Sequence, residues 1–218
     1  MARRNEWVRN NPVLESEVKR SAAENEDRVY FVSIQETKAL LAACDSREER
    51  LLIGFARFAA LRIPSEIREL RWSEFDRRLR VFKVYAPRTG RFRSVPVMKP
   101  LHDLLLEADI PLDRSEYVFP RLRLYPSLST AMRRIIRNAG VTDYPRALHS
   151  LRGSCISEWV ETHKSIPEVA SWAGHSIPVM TRHYLRRQSL ESALRAADLS
   201  RAEARKPDDG GAESVRAA

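Results

Sequence analysis

Cysteine is scarce. The 218 residues hold two, Cys44 and Cys155. That is too few for a disulfide framework or a cysteine-built zinc cluster. Long apolar runs are missing as well, and none nears the roughly 20 residues that a membrane helix needs. The opening Met1-Ala2-Arg3-Arg4-Asn5-Glu6 carries charge but has no apolar stretch behind it, unlike a secretory signal. A soluble, cytoplasmic protein is the expectation. Lysine is sparse among the bases: of 38, six are lysine and 32 arginine. No internal repeat is visible.

What remains suits a folded domain. Hydrophobic residues make up 43% of the chain, too many for a disordered basic tail. The length fits one domain with some excess. The formal charge is +9 and the isoelectric point about 10, which points to a polyanionic partner. A genomic bias toward arginine would give the same total, so position matters more. From Arg57 to Arg93 there are eleven bases and four acids, and from Arg121 to Arg152 seven bases and one acid. These two blocks hold more than the whole excess. The stretch 206–218 is polar, with Asp208-Asp209-Gly210-Gly211, and reads as a disordered tail within residues 205–218.

Ser33 with Glu36, and Ser46 with Glu49, are capping-box pairs ahead of apolar runs. They predict helices over 34–43 and 47–60. Pro64-Ser65-Glu66 reads as the first turn of a helix running to about Leu70. The period then changes to two. Residues 79–85 and 92–97 flank Pro87-Arg88-Thr89-Gly90, a β-hairpin pattern. Further helices are expected over 100–108, 127–139, 149–163, 167–173, 177–187 and 190–204. The last is amphipathic, with Leu190, Leu194 and Leu199 as anchors. The fold class is mainly α with a small antiparallel β-sheet. Trp159, Trp172 and Ile166 are expected in the core.

Four segments stand out. They are Leu61-Arg62-Ile63-Pro64-Ser65-Glu66, the turn around Arg88, His149-Ser150-Leu151-Arg152, and Trp172-Ala173-Gly174-His175 with Tyr184 nine residues on. Each has an ordinary reading: solvated arginines, common histidine pairs, a rim aromatic. A metal site at His163, His175 and His183 is disfavoured, since no cysteine or carboxylate stands nearby. Together the pieces suit the attack of a phenol on a phosphodiester. Guanidiniums match the non-bridging oxygens of a five-coordinate phosphorus. Histidines accept the proton of a phenol whose ordinary pKa is about 10. With two arginines balancing charge, no metal or other cofactor is required.

The ordered set resembles the catalytic domain of tyrosine recombinases, the phage integrase family. The first box is Arg62, Ser65-Glu66 and Leu70-Arg71-Trp72. A hairpin segment follows, Arg88-Thr89-Gly90-Arg91-Phe92-Arg93-Ser94-Val95-Pro96. Then come His149 to Arg152, Gly174-His175 and Tyr184. The resemblance spans about 30–190 and implies a DNA strand transferase. Arg62 and Arg152 would clamp the scissile phosphate, His149 and His175 would assist proton transfer, and Glu66 would support from behind. Tyr184 would attack to give a 3′-phosphotyrosyl link. Double-stranded DNA is the implied partner. A tetrameric synapse on DNA follows, with segment 190–204 a candidate for exchange between subunits. Arg91, Arg93, Arg133, Arg134 and Arg137 are candidate DNA contacts.

Three departures from the family pattern stand out. Arg88 occupies the place of the family lysine, and arginine holds its proton too tightly for efficient acid catalysis. Lys83 falls on the wrong strand face to replace it. Pro64 adds a residue to the first box. Only about 30 residues precede the first helix, so residues 1–30 are expected to be the remnant of a DNA-clamping domain and its linker, ahead of a catalytic domain over 31–204. Three functions fit the residues: an active recombinase or integrase, a truncated or decayed DNA-binding relative, and a type IB topoisomerase.

Overall fold

Two serine caps set the first helices. In the computed structural model, which describes residues 30–163 and 165–181, Ser33 Oγ accepts from Glu36 N at 3.2 Å while Glu36 returns to Ser33 N at 2.8 Å. This capping box starts α1 (Ile34–Ala42). Ser46 caps Glu49 N and starts α2 (Arg47–Phe58). Leu51, Leu52, Ile53, Phe55 and Ala56 of α2 are all buried, because the helix runs through the centre of the core. It packs on α3 (Lys99–Leu106) and on the long α5 (Ala147–His163). Gly54 permits the first of these contacts. A Cβ there would meet Leu104 Cδ1 at 2.6 Å.

The sheet is antiparallel in the order β1 (Phe75–Asp76), β2 (Val81–Ala86), β3 (Arg91–Pro96). Phe82, Val84 and Ala86 face inward, and Lys83 and Tyr85 outward, as period two demands. The register pairs Val84 with Arg93 and Lys83 with Ser94. Leu79, expected in the first strand, is exposed in the turn before it. β1 has two residues, too few to leave a period in the sequence. It is held by stacking of Phe75 on Phe82, with centroids 4.6 Å apart. Two further helices among the described residues are α4 (Ser129–Asn138) and α6 (Ile166–Ala173). α6 packs on both α5 and β3. Trp159 is buried, and the half-buried Trp172 meets it edge-on at 5.7 Å. Ile166 packs against the same core.

One expected helix is absent. Residues 63–67 form a turn closed by Glu66 N donating to Arg62 O at 2.8 Å, and the chain then straightens. Leu70 O accepts from Val118 N at 2.9 Å, Trp72 N donates to Glu116 O at 3.0 Å, and Arg71 bridges Tyr117. A helix reaching Leu70 would forfeit this distant pairing. The segment from Tyr30 to Val32 is fastened to α5. Tyr30 N donates to Ser150 Oγ at 3.3 Å and Val32 N to Ser154 Oγ at 2.8 Å. Residues 177–181 are helical, in keeping with the expected 177–187. Tyr184, His183 and the segments 1–29, 190–204 and 205–218 lie outside the described residues. Among the described residues no helix is long and apolar enough to cross a membrane.

Candidate active site

The site assembles at the C-terminal end of α6. A helix ends with carbonyls that have no partner within it, and its dipole places partial negative charge there. Here three consecutive carbonyls each accept from a different arginine. Trp172 O takes Arg93 Nε at 2.8 Å, Ala173 O takes Arg152 Nη2 at 2.7 Å, and Gly174 O takes Arg62 Nη2. Arg93 comes from β3, Arg152 from α5, and Arg62 from the turn after α2. Three separate stretches of sequence thus converge on one helix end. Gly174 has φ +67°, and a Cβ there would lie 2.9 Å from Arg62 Nη1 and 3.1 Å from Arg93 Cδ. Glycine is required twice, for the backbone angle and for the approach of the arginines.

Arg152 is 4% exposed. Besides Ala173 O, it donates to Ala60 O, just past the end of α2, and its Nη2 lies 3.0 Å from His175 Nε2. The donor and acceptor roles in this contact depend on the tautomer of the His175 ring. Burial pushes the Arg152 pKa down, and the neighbouring charges of Arg62 and Arg93 push it further. The Glu66 carboxylate opposes that shift, as an anion bound among these arginines would.

Glu66 supplies the countercharge and is 3% exposed. Its carboxylate accepts from Arg93 Nη1 at 2.6 Å and Nη2 at 2.7 Å, from Arg62 N at 2.7 Å and from Arg62 Nη1 at 3.2 Å. Burial raises its pKa. The hydrogen bonds and charge of Arg93, with the Arg62 N–H, overcome that and leave it lowered. Three guanidiniums against one carboxylate leave an excess of two positive charges. Arg62 is the open member of the set, its side chain 23% exposed.

The other expected residues are placed differently. His149 is exposed in the first turn of α5. It lines a cleft of about 680 Å³ with Ile63, Pro64, Arg133 and Arg146. Arg88 is exposed in the β2–β3 turn, whose Thr89 and Gly90 N–H groups both donate to Ala86 O at 3.0 Å. Arg91, Arg133 and Arg137 are exposed. Arg93 and Arg134, expected among the DNA contacts, are bound to carboxylates. Arg93 holds Glu66, and Arg134 pairs with Asp45 and Glu49 to join α4 to the start of α2. Net charge cannot tell a committed arginine from a free one. Sequence reasoning also missed the carbonyl acceptors, for which only the Gly174-His175 pair gave a signal. Among the described residues no group of three or more His, Cys, Asp or Glu could hold a metal. His163 lies instead on the Trp172 ring, with centroids 5.0 Å apart.

Comparison with known proteins decides the lineage. The profile of the phage integrase family matches residues 31–191. The chain belongs to the phage integrase family. Its fold is that of tyrosine recombinase catalytic domains. It is similar to the catalytic domain of bacteriophage HP1 integrase, with 22% identity and a TM-score of 0.54, over 79% of this chain and 97% of that one. It is similar to the XerA recombinase, with 20% identity and a TM-score of 0.57, over 75% of this chain and 63% of that one. A Tn1549 transposon integrase in complex with transposon right end DNA gives 13% identity and a TM-score of 0.62, over 88% and 74%. This phage integrase family member therefore spans under two thirds of the XerA chain. No curated protein matches it.

Proposed function

We propose that the chain is a site-specific tyrosine recombinase that cleaves and rejoins double-stranded DNA through a 3′-phosphotyrosyl intermediate. One observation carries this reading. Arg62 and Arg152 are held on adjacent carbonyls beside His175, with an excess of positive charge. That arrangement favours a phosphodiester over a neutral substrate. In the reaction the Tyr184 oxygen bonds to phosphorus and the bond to the 5′ oxygen breaks. The phenolic proton passes to a histidine, His149 or His175, and the imidazolium formed returns a proton to the departing 5′ oxygen. The arginines stabilise charge on the non-bridging oxygens. Because the phosphotyrosyl link keeps the bond energy, attack by a 5′ hydroxyl reverses the step without ATP. Arg88, in the exposed turn, contributes charge to the bound phosphate and not an acidic proton.

Synapsis as a tetramer, with segment 190–204 exchanged between subunits, belongs to the same proposal, as does action in the cytoplasm. The test is covalent trapping on a nicked suicide duplex. The wild-type chain should form an adduct, and Tyr184→Phe should bind DNA but form none; an undiminished adduct in that variant refutes the assignment. The place of Arg88 favours a second reading, a DNA-binding relative that cleaves slowly. Arg88→Lys should then raise the single-turnover cleavage rate, and an unchanged rate speaks against it.

A further inference from the structure

The arginine cluster has three members, and the chemistry above uses two. We propose that Arg93 is a positioning residue for strand cleavage: it occupies the Glu66 carboxylate so that Arg62 keeps its charge and reach for the phosphate. The inference rests on the recombinase reading of the same site.

The bond lengths carry it. Glu66 Oε1 is shared, 2.6 Å from Arg93 Nη1 but 3.2 Å from Arg62 Nη1. Oε2 lies 2.7 Å from Arg93 Nη2 and 2.7 Å from the Arg62 backbone N–H. The short two-pronged contact is therefore with Arg93, while the Arg62 guanidinium makes the longer single one. A fork-to-fork pair is the stronger arrangement. The exposures agree. The Arg93 side chain is 8% exposed, that of Glu66 1%, and that of Arg62 23%. The buried pair backs the open cation.

Arg93 is fixed at both ends. Its Nε donates to Trp172 O at 2.8 Å, next to the carbonyls that hold Arg152 and Arg62. Its backbone lies in β3, paired with Val84. It joins the hairpin that ends in Arg88 to the turn that leads into His175. The charged groups facing Glu66 are Arg62, Arg93 and Arg152, and His175 lies beyond Arg152. Without Arg93, the carboxylate would have Arg62 as its nearest cation. It would draw that guanidinium inward and cancel one of the two excess charges. This predicts a loss in cleavage without an equal loss in DNA binding, because the phosphates of the flanking duplex are met by other residues.

The experiment uses the full chain on a suicide duplex, with single-turnover adduct formation, DNA affinity and melting temperature followed together. Arg93→Gln should slow adduct formation about 100-fold with DNA affinity changed less than about threefold. The ratio of wild-type to variant rate cancels pH limbs that both share through His149 and His175. That ratio should shrink as pH falls, because protonated Glu66 no longer competes for Arg62. Adding Glu66→Gln to Arg93→Gln should restore rate relative to the single variant. A purely structural arginine gives a ratio independent of pH and no restoration, and either result overturns the proposal, as does a wild-type rate in Arg93→Gln. Should Arg93→Gln not fold, Arg93→Lys carries the test, since it keeps the charge and gives up the fork. A rate about tenfold lower, restored by Glu66→Gln, supports the role, and an unchanged rate refutes it. Absence of any adduct from the wild-type chain would instead refute the recombinase reading.

Discussion

Arg152 and Arg88 carry the same charge and were both expected at the phosphate, yet they sit in opposite surroundings. Arg152 is 4% exposed, with two carbonyls and a histidine nitrogen as partners. Arg88 stands in an exposed turn between two strands. The first is held in place before any ligand arrives, so its ordering cost is met during folding. The second stands open to solvent. The chain thus separates a buried clamp, built around the end of α6, from an exposed hairpin tip that shares the clamp's frame through Arg93. Basic residues that look alike in sequence divide into those that shape the site and those that meet the partner.

The strongest way to break this contrast is to remove Arg152. Arg152→Ala should abolish adduct formation and also destabilise the fold by about 2–4 kcal/mol, because the Ala60 and Ala173 carbonyls lose a buried donor. Calorimetry or denaturant titration checks the second part. Arg88→Ala should slow cleavage while leaving stability within about 0.5 kcal/mol. An equal loss of stability in both variants would erase the distinction.

Gly174→Ala ranks next. Its Cβ would press on Arg62 and Arg93 at a backbone angle costly to alanine, by about 1–2 kcal/mol. Cleavage should fall about 100-fold while DNA affinity holds, since the misplacement is local. A pH measurement sharpens the role of Glu66. Its folded pKa lies below the ordinary 4.5, so its contribution is present above that value and is lost as pH falls through the folded pKa. Stability should therefore fall with acid below about pH 4.5, less steeply in Glu66→Gln.

The smallest effects separate the surface arginines. Replacing Arg91, Arg133 or Arg137 by Gln should reduce the salt dependence of DNA binding by about one counterion each wherever the residue meets a phosphate. Arg134→Gln should leave that slope alone and cost about 0.5–1 kcal/mol of stability, because its partners are Asp45 and Glu49. A flatter slope for Arg134→Gln would return it to the DNA contacts.

Much of the scaffold was legible because its signals are local. Ser33 with Glu36, and Ser46 with Glu49, cap the helices they predicted. The inward Phe82, Val84 and Ala86 follow the period-two reading. The order Arg62, His149, Arg152, Gly174-His175 located three of the four elements that meet at the site. What was not legible depends on distant partners. The helix expected over 64–70 gave way to backbone pairing with residues 116–118. Arg93 and Arg134 read as surface charge because the sequence does not say which carboxylate lies opposite. Glu66 is 27 positions from Arg93, and Asp45 is 89 from Arg134.

The three carbonyls at the end of α6 have a consequence for how such a site survives drift. Every amino acid carries the same carbonyl, so the acceptors at 172, 173 and 174 do not depend on which side chains stand there. A lineage can exchange most of its residues and keep the clamp, provided the helix ends at the same point and turns the same way. Within the clamp, the positions under chemical constraint shrink to the arginines, their carboxylate and one glycine. That economy is compatible with a shared fold at 13–22% identity to the solved structures described above.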